Sequence, residues 1–491
     1  MKKLMLLTGL LAFLLFSCDG LFDGPGGEKD PIDEDGVAKK SFKAQSFKNG
    51  SFYSLEAGKL AEGTNCTVWV ERGAGIDKET AQKVANEYSN NIHQKMISAF
   101  GTNTNGFNFT TELADINSAQ GGKLLILLLD IRDNYQKGVN ESSVGGYFLW
   151  SDLFTSEANS NGLAMIYIDT SPGVPGSSAS NMTLAHEMQH LINEITSQTL
   201  RATGSNYDPM ELWIDEGLSC AAEWVYSGSH PQNRWGWYHN NGNGTNIKSD
   251  IDKGNNFYVW GNRAGNPYAE IDDYATAYLF FQWLRIQSGS NAIYKDIIGS
   301  TNADYRAVTS AAAKFEPSYN NNWGGLLRDW LAANYINSTS TSSRYGYKND
   351  TTLKGLNSHL LTSGTSTGLY PGEGVFSKID QAYVTAGNKP NDAGNIKYSI
   401  LTSTAPQDAL AVGALLTYNT NTANAADSPS VPGTVTGASI SVNVSVDGRF
   451  VSPPVALSGP YWVSGGDVLR RNGSLGLSPA GVTRPSIRVA R

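Results

Sequence analysis

Five consecutive residues restrict this chain more than any other feature: His186-Glu187-Met188-Gln189-His190. Histidines four apart stack on one face of a helix, about 6 Å apart along its axis. The surrounding pattern fits that helix. At about 100° per residue, Leu184, Met188, Leu191, Ile192 and Ile195 form one apolar stripe, while His186, Glu187, His190, Asn193 and Glu194 fall on the opposite half. One face is therefore expected to pack on a core and the other to line a cleft. Two imidazoles in this relation can reach one Zn2+ at ~2.0–2.1 Å each. Glu187 stands one step round, close enough to take a proton from a metal-activated water without ligating the metal. The chain holds only six histidines, so the pattern is expected by chance in well under about 1% of such sequences.

Such a site needs a third protein ligand and an open fourth position. No histidine follows six residues on, where Thr196 stands, and Asn193 occupies the position of a possible glycine. The candidate lies in Glu211-Leu-Trp-Ile-Asp-Glu-Gly-Leu-Ser-Cys-Ala-Ala-Glu223, in which Glu216 and Glu223 are two helical turns apart and share a face. Two carboxylates on a semi-buried, Ala-rich helix are costly unless something cationic meets them. Zinc meets Glu216. Glu223 either accepts the outer N–H of a ligand histidine and fixes its tautomer, or is a solvated helix charge.

H-E-x-x-H followed by W-x-x-E-G-x-x-x-x-x-E resembles the gluzincins, metallopeptidases with a two-His, one-Glu zinc site. The spans Asp130-Ile-Arg-Asp, Gly145-Gly-Tyr-Phe148 and Met165-Ile-Tyr-Ile-Asp169 are most similar to the hyicolysin-type neutral zinc metallopeptidases, over roughly 57–330. The resemblance implies that His186, His190 and Glu216 bind one zinc, that Glu187 is the general base, and that Glu223 supports a ligand histidine. It also implies an oxyanion-stabilising tyrosine at the head of Asp272-Asp-Tyr-Ala-Thr-Ala-Tyr278. Tyr274 is that position, Tyr278 the weaker choice, and ordinary helix packing the alternative. Aminopeptidase gluzincins hold the substrate amine with a Glu in a G-x-M-E-N strand. Here Gly162-Leu-Ala-Met-Ile-Tyr has no Glu after the Met, which argues for an endopeptidase. That strand, taken as an edge beside the zinc helix, could pair with an extended substrate. The rival readings are an aminopeptidase and a catalytically inactive surface lipoprotein, an adhesin or binding module on the same scaffold.

The chain has 491 residues, so more than one core is expected. Its net charge of −8 and the absence of a basic patch argue against nucleic acid as a partner. Lys2-Lys3 and the apolar run Leu4–Phe16 read as a signal peptide, too short to span a bilayer. Leu15-Phe16-Ser17-Cys18 resembles a bacterial lipoprotein box with an unusually bulky Phe16, which makes Cys18 the lipidation site; plain secretion is the alternative. Export to a membrane surface, with protein or peptide substrates, follows from that reading. Cys66 and Cys220 then form one disulfide or two separate thiols.

The expected fold class is α+β: a thermolysin-like catalytic domain with a mixed sheet and a helical subdomain, followed by a small C-terminal β-domain. The expected divisions are a leader at 1–18, a flexible tether at 19–45 and a sheet subdomain with the zinc helix at 46–200. A helical subdomain at 201–335, a Ser/Thr/Gly-rich linker at 336–374 and a β-rich domain at 375–491 follow. Three helical segments are expected at 210–226, 272–287 and 323–335. The aromatic, Asn-rich stretch from Trp235 to Trp260 is expected as a cleft rim. Asp33-Glu-Asp-Gly36 is a Ca2+ candidate, but too short a match to support Ca2+ binding.

Overall fold

The computed structural model describes residues 30–101, 122–139, 143–203, 206–240, 249, 251, 254, 257–260, 269–356, 369–379, 391–392, 394–401 and 413–422, and the backbone of three short strands beyond them. Cys18 and the leader lie outside the described residues. No helix among those described is long and apolar enough to cross a membrane.

Order begins earlier than the expected tether allows. Ile32, in a short turn at Pro31–Asp33, is wholly buried. Arg72 and Lys39 grip Asp33 at 2.5 and 2.7 Å. Strand β1 (Lys39–Gln45) follows directly. The Gly/Asp/Pro composition suggested a free linker, but these acids are paired and the isoleucine is packed. The tether reading at 19–45 is corrected from residue 30 onward. The same pairing commits Asp33, the first carboxylate of the calcium candidate.

Strands β1, β2 (Phe52–Glu62) and β3 (Cys66–Glu71) form an antiparallel meander. Helix α1 (Lys78–Glu87), started by the Asp77 carboxylate accepting from Thr80 N at 2.7 Å, continues through a wider turn into α2 (His93–Phe100). Strand β4 (Leu124–Leu129) returns parallel to β3. Next come β5 (Ser143–Tyr147) and β6 (Met165–Asp169), and the sheet order is β1-β2-β3-β4-β6-β5. The unbroken apolar run of β4 serves two cores. Leu124, Ile126 and Leu128 face the helices, and Leu125, Leu127 and Leu129 face the opposite cluster with Phe42 and Tyr167.

The sheet order corrects one expectation. The strand carrying Met165-Ile-Tyr167 is interior, paired with β4 on one side and β5 on the other. All five of its residues are buried, as suits a strand covered on both faces. Both this strand and β5 pack against the helix bearing the two histidines.

The second half is helical. Helix α3 (Ser178–Leu200) carries His186 and His190 and is capped by Ser177 Oγ accepting from Ser180 N. Helix α4 (Leu212–Ser227) ends at Gly228 in the left-handed conformation, φ 70°. Helices α5 (Ala269–Ser288), α6 (Ala292–Ile298), α7 (Tyr305–Ala312) and α8 (Trp323–Ile336) complete the layer. The three expected helices sit within a few residues of α4, α5 and α8, whereas α6 and α7 had no sequence expectation.

Strands β7 (Gly374–Ile379), β8 (Ile396–Leu401) and β9 (Gly413–Asn419) make a small antiparallel sheet, and β10 (Gly433–Gly437) pairs with β11 (Ile440–Val444). Strand β12 (Trp462–Ser464) runs parallel to β5 on its outer side. Phe376, Leu416 and Tyr418 of the small sheet share one continuous core with the helices. The stretch expected as a linker contributes fully buried Tyr347 and Leu353 to the same core.

Candidate metal centre

The site is built by α3 and α4 lying against each other, with α5 behind α4. Glu216 is followed by Gly217, where a Cβ would lie 2.2 Å from the Phe281 ring of α5. The missing side chain lets α5 approach the helix carrying the acidic residues. The apolar stripe of α3 packs in the core as expected, but its polar half is also buried, against α4 rather than facing open solvent.

On that shared face the imidazole Nε2 atoms of His186 and His190 each stand 3.5 Å from Glu216 Oε2. The two rings are 4.9 Å apart, at 69° to each other. Neither Nε2 has a hydrogen-bond partner among the described residues, although both are buried. Two ligands each ~2.0–2.1 Å from one tetrahedral ion stand roughly 3.4 Å apart, so the spacing and the nitrogen–carboxylate donor set fit zinc. Glu187 is fully buried on the same helix.

The outer nitrogens are held by acidic partners. His186 Nδ1 lies 3.0 Å from Glu223 Oε1. His190 Nδ1 lies 3.1 Å from both Asp215 Oδ2 and Ser219 Oγ. The single hydroxyl hydrogen of Ser219 has the Asp215 carbonyl at 2.9 Å and Gln189 Oε1 as its acceptors. Asn193 donates to the other oxygen of Asp215. Burial alone would make both histidines harder to protonate. For His186 the Cys220 thiol, Glu216 and Glu223 outweigh it, and the ring is held protonated well above its ordinary range. For His190, Glu216 and Asp215 do the same, lifting it to about 9. The pocket therefore attracts positive charge to both rings, which a divalent ion supplies through the nitrogens.

A second group of donors, His186, Cys220 and Glu223, also lies within metal-binding reach. Arg234 already occupies its carboxylate: Nη2 donates to Glu223 Oε1 at 2.6 Å and Nε to both oxygens at 3.2 Å. Burial opposes ionisation of Glu223, but Arg234 and His186 hold its carboxyl below the usual range. A guanidinium there repels a second cation, so Glu223 braces His186. Cys66 and Cys220 are separate buried thiols.

Tyr274 and Tyr278 are distinguished by their partners. The Tyr274 ring is 6.3 Å from that of His186, with the Arg234 guanidinium 4.5 Å from its centre and Trp260 edge-on at 5.0 Å. Its buried hydroxyl has no hydrogen-bond partner among the described residues. The Tyr278 hydroxyl is 2.6 Å from His230 Nδ1. Of the two, Tyr274 has the uncommitted donor beside the histidines.

Sequence reasoning missed Asp215, Ser219 and Arg234. Asp215 follows from its position beside Glu216 only once α3 is known to lie across α4. The signal for Arg234 was Glu223 itself, since a buried carboxylate demands a cation. The expected cleft rim is also corrected: Trp237, Tyr238, Phe257 and Tyr258 are core residues, and Trp237 Nε1 donates to Asp272 at 2.7 Å. Phe257 and Tyr258 pack between α4, α5 and α8.

No family model matches the chain. It is similar to the neutral metalloprotease ShpI of Staphylococcus hyicus, 30% identical over 321 residues. That alignment takes in 61% of this chain and 66% of the relative, so the chain spans just under two thirds of the protein it matches. The likeness supports a metallopeptidase family in general.

Proposed function

We propose that this chain is a zinc-dependent endopeptidase of the gluzincin type, with His186, His190 and Glu216 holding the ion and Glu187 acting as general base. The observation that carries this reading is the convergence of two buried, hydrogen-bond-free Nε2 atoms on one Glu216 oxygen, 3.5 Å from each. When bound, zinc supplies a Lewis acid that polarises the scissile carbonyl and lowers the pKa of a water to about 7.

The chain's own residues do the rest. Glu187 takes a proton from the attacking water and returns it to the leaving amine. The Tyr274 hydroxyl donates to the oxygen that gains charge as the carbonyl becomes tetrahedral. Glu223 holds the outer nitrogen of His186, and Asp215 and Ser219 that of His190, so that each Nε2 is aimed inward at the ion's place. No Glu follows Met165 to grip a free substrate amine, which favours cleavage within a chain. Protein or peptide substrates and a lipid anchor at Cys18 complete the proposal.

The test uses the protein without residues 1–18 beside its Glu187→Gln variant, measuring zinc content and hydrolysis of casein and of blocked and free-amine peptides. One zinc per chain, cleavage of blocked peptides and loss of that cleavage in the variant are expected. A parent without metal, or a variant with full activity, overturns the reading.

A further inference from the structure

Beyond the metal site, a chain of polar groups runs inward from half-buried Asp350 through half-buried His230 to buried Tyr278. His230 Nε2 is 3.2 Å from Asp350 Oδ2, and Nδ1 is 2.6 Å from the Tyr278 hydroxyl. The proton positions follow from chemistry. Burial opposes ionisation of Asp350, but His230 and the amides of Leu353 and Thr352 outweigh it and draw its carboxyl down to about 2. An ionised carboxylate only accepts, so Nε2 carries the ring hydrogen. With a hydrogen on Nε2, the relay takes Nδ1 as the acceptor. Tyr278, whose phenol burial keeps protonated, is the donor.

The placement of this chain gives it a role. His230 and Arg234 are four residues apart on the segment that leaves α4 after Gly228. Tyr278 and Tyr274 are four apart on α5, and so share a face. Two rungs thus join the same two segments: His230 to Tyr278, and Arg234, 4.5 Å over the ring, to Tyr274. Arg234 also holds Glu223, which holds His186. Trp224, on the last turns of α4, lies against His230 and carries Arg285 on its other contact at 3.5 Å.

We propose that Asp350, His230 and Tyr278 form a positioning relay that sets the register between the 230–234 segment and α5, and so the placing of Arg234 and the Tyr274 hydroxyl relative to the reacting carbonyl. The inference rests on the endopeptidase reading and adds positioning residues to it. Asp350 orients the ring, the ring accepts from Tyr278, and that rung fixes the next. Misplacing a catalytic donor by about 1 Å can cost on the order of 100-fold in rate. A partial slip through one lost rung is expected to cost about tenfold.

The two rings of evidence separate in one set of variants of the protein without residues 1–18. His230→Asn keeps an acceptor where Nδ1 lies, and His230→Gln keeps a donor toward Asp350 but loses the Tyr278 rung. His230→Gln and Tyr278→Phe are expected to lower kcat about tenfold, with zinc content and KM unchanged and the double variant no slower than either single one. His230→Asn should stay within about threefold of the parent. In nitrogen-15 spectra of histidine-labelled protein, His230 should show the Nε2–H form, and Tyr278→Phe should shift its Nδ1 signal. Equal activity in the Asn and Gln variants, additive losses in the double variant, or a Nδ1–H tautomer overturns the relay. If Gln fails to fold, Tyr278→Phe and the spectra still decide. A parent that hydrolyses nothing refutes the endopeptidase reading instead, while an active parent with unchanged variants refutes the relay alone.

Discussion

Two buried polar clusters, one in each half of the molecule, resolve the cost of burial in opposite ways. In the sheet half, Asp152 is fully buried, and all its demands are met by protein. Tyr167 donates to Oδ2 at 2.6 Å, and the Asn161 backbone and side-chain amides donate to Oδ1 at 2.7 and 3.0 Å. Asn161 also exchanges hydrogen bonds with the Lys43 backbone, tying β1 to the loop before β6. In the helical half, His186 and His190 have their outer nitrogens satisfied and their inner ones bare. A cluster closed by its own hydrogen bonds supports the fold. A cluster whose inner nitrogens both face one carboxylate oxygen at the spacing of ligands around a single ion is arranged to fit a cation.

The comparison breaks if the two clusters respond alike to substitution. Glu187→Gln is expected to have the largest effect, reducing kcat by roughly 10²–10⁴ while zinc content stays at the parent level. Asp152→Asn should leave kcat within about twofold, because it touches no reacting atom. Metal removal comes next. Chelation, or His190→Ala, should empty the site and cost about 3–4 kcal/mol of stability when free zinc stands 100–1,000 times above its dissociation constant in the parent. Melting scans with and without chelator measure this, and a chelator-insensitive parent would show that no ion holds the helices together. Tyr274→Phe should lower kcat about 10- to 100-fold at unchanged KM and full zinc occupancy. If KM rises and kcat holds, Tyr274 is a packing residue.

How much of this was legible depended on the range of each interaction. His186, Glu187 and His190 could be read together because helical spacing is local, and Glu216 and Glu223 because seven residues make two turns. The wholly buried polar half of α3 was not legible. It depends on α4 lying across it, a contact made through pairs such as Asn193 and Asp215, which are 22 positions apart. Arg234 was hidden for the same reason, in a stretch whose aromatic and Asn content suggested exposed loop. Trp237 and Tyr258 show that the aromatics there mark core instead. The strand at Met165-Ile-Tyr167 came from its own residues. Strand order did not, because the parallel pairings of β3, β4 and β6 join segments separated by dozens of residues, and periodicity says nothing of which lies outside.

The smallest expected effect sharpens the sheet-half side of the comparison and turns on sign. Burial pushes the Asp152 carboxyl up to about 7, although Tyr167 and Asn161 pull it down. An unfolded aspartate loses its proton near pH 3.8. Between these values the folded chain holds a proton that the unfolded chain has released, so stability contributed by this group is full below about pH 4 and falls as pH rises toward 7. Asp152→Asn keeps an acceptor for Tyr167 or Asn161 and removes the titration. Its urea-unfolding free energy should therefore decline less between pH 5 and 8 than the parent's, by on the order of 1 kcal/mol. Asp169, pushed up to about 6 by burial, contributes a similar slope to both proteins, so it cancels in the difference. Parallel curves for the two proteins would mean that Asp152 is ionised throughout, with its three donors fully offsetting the burial.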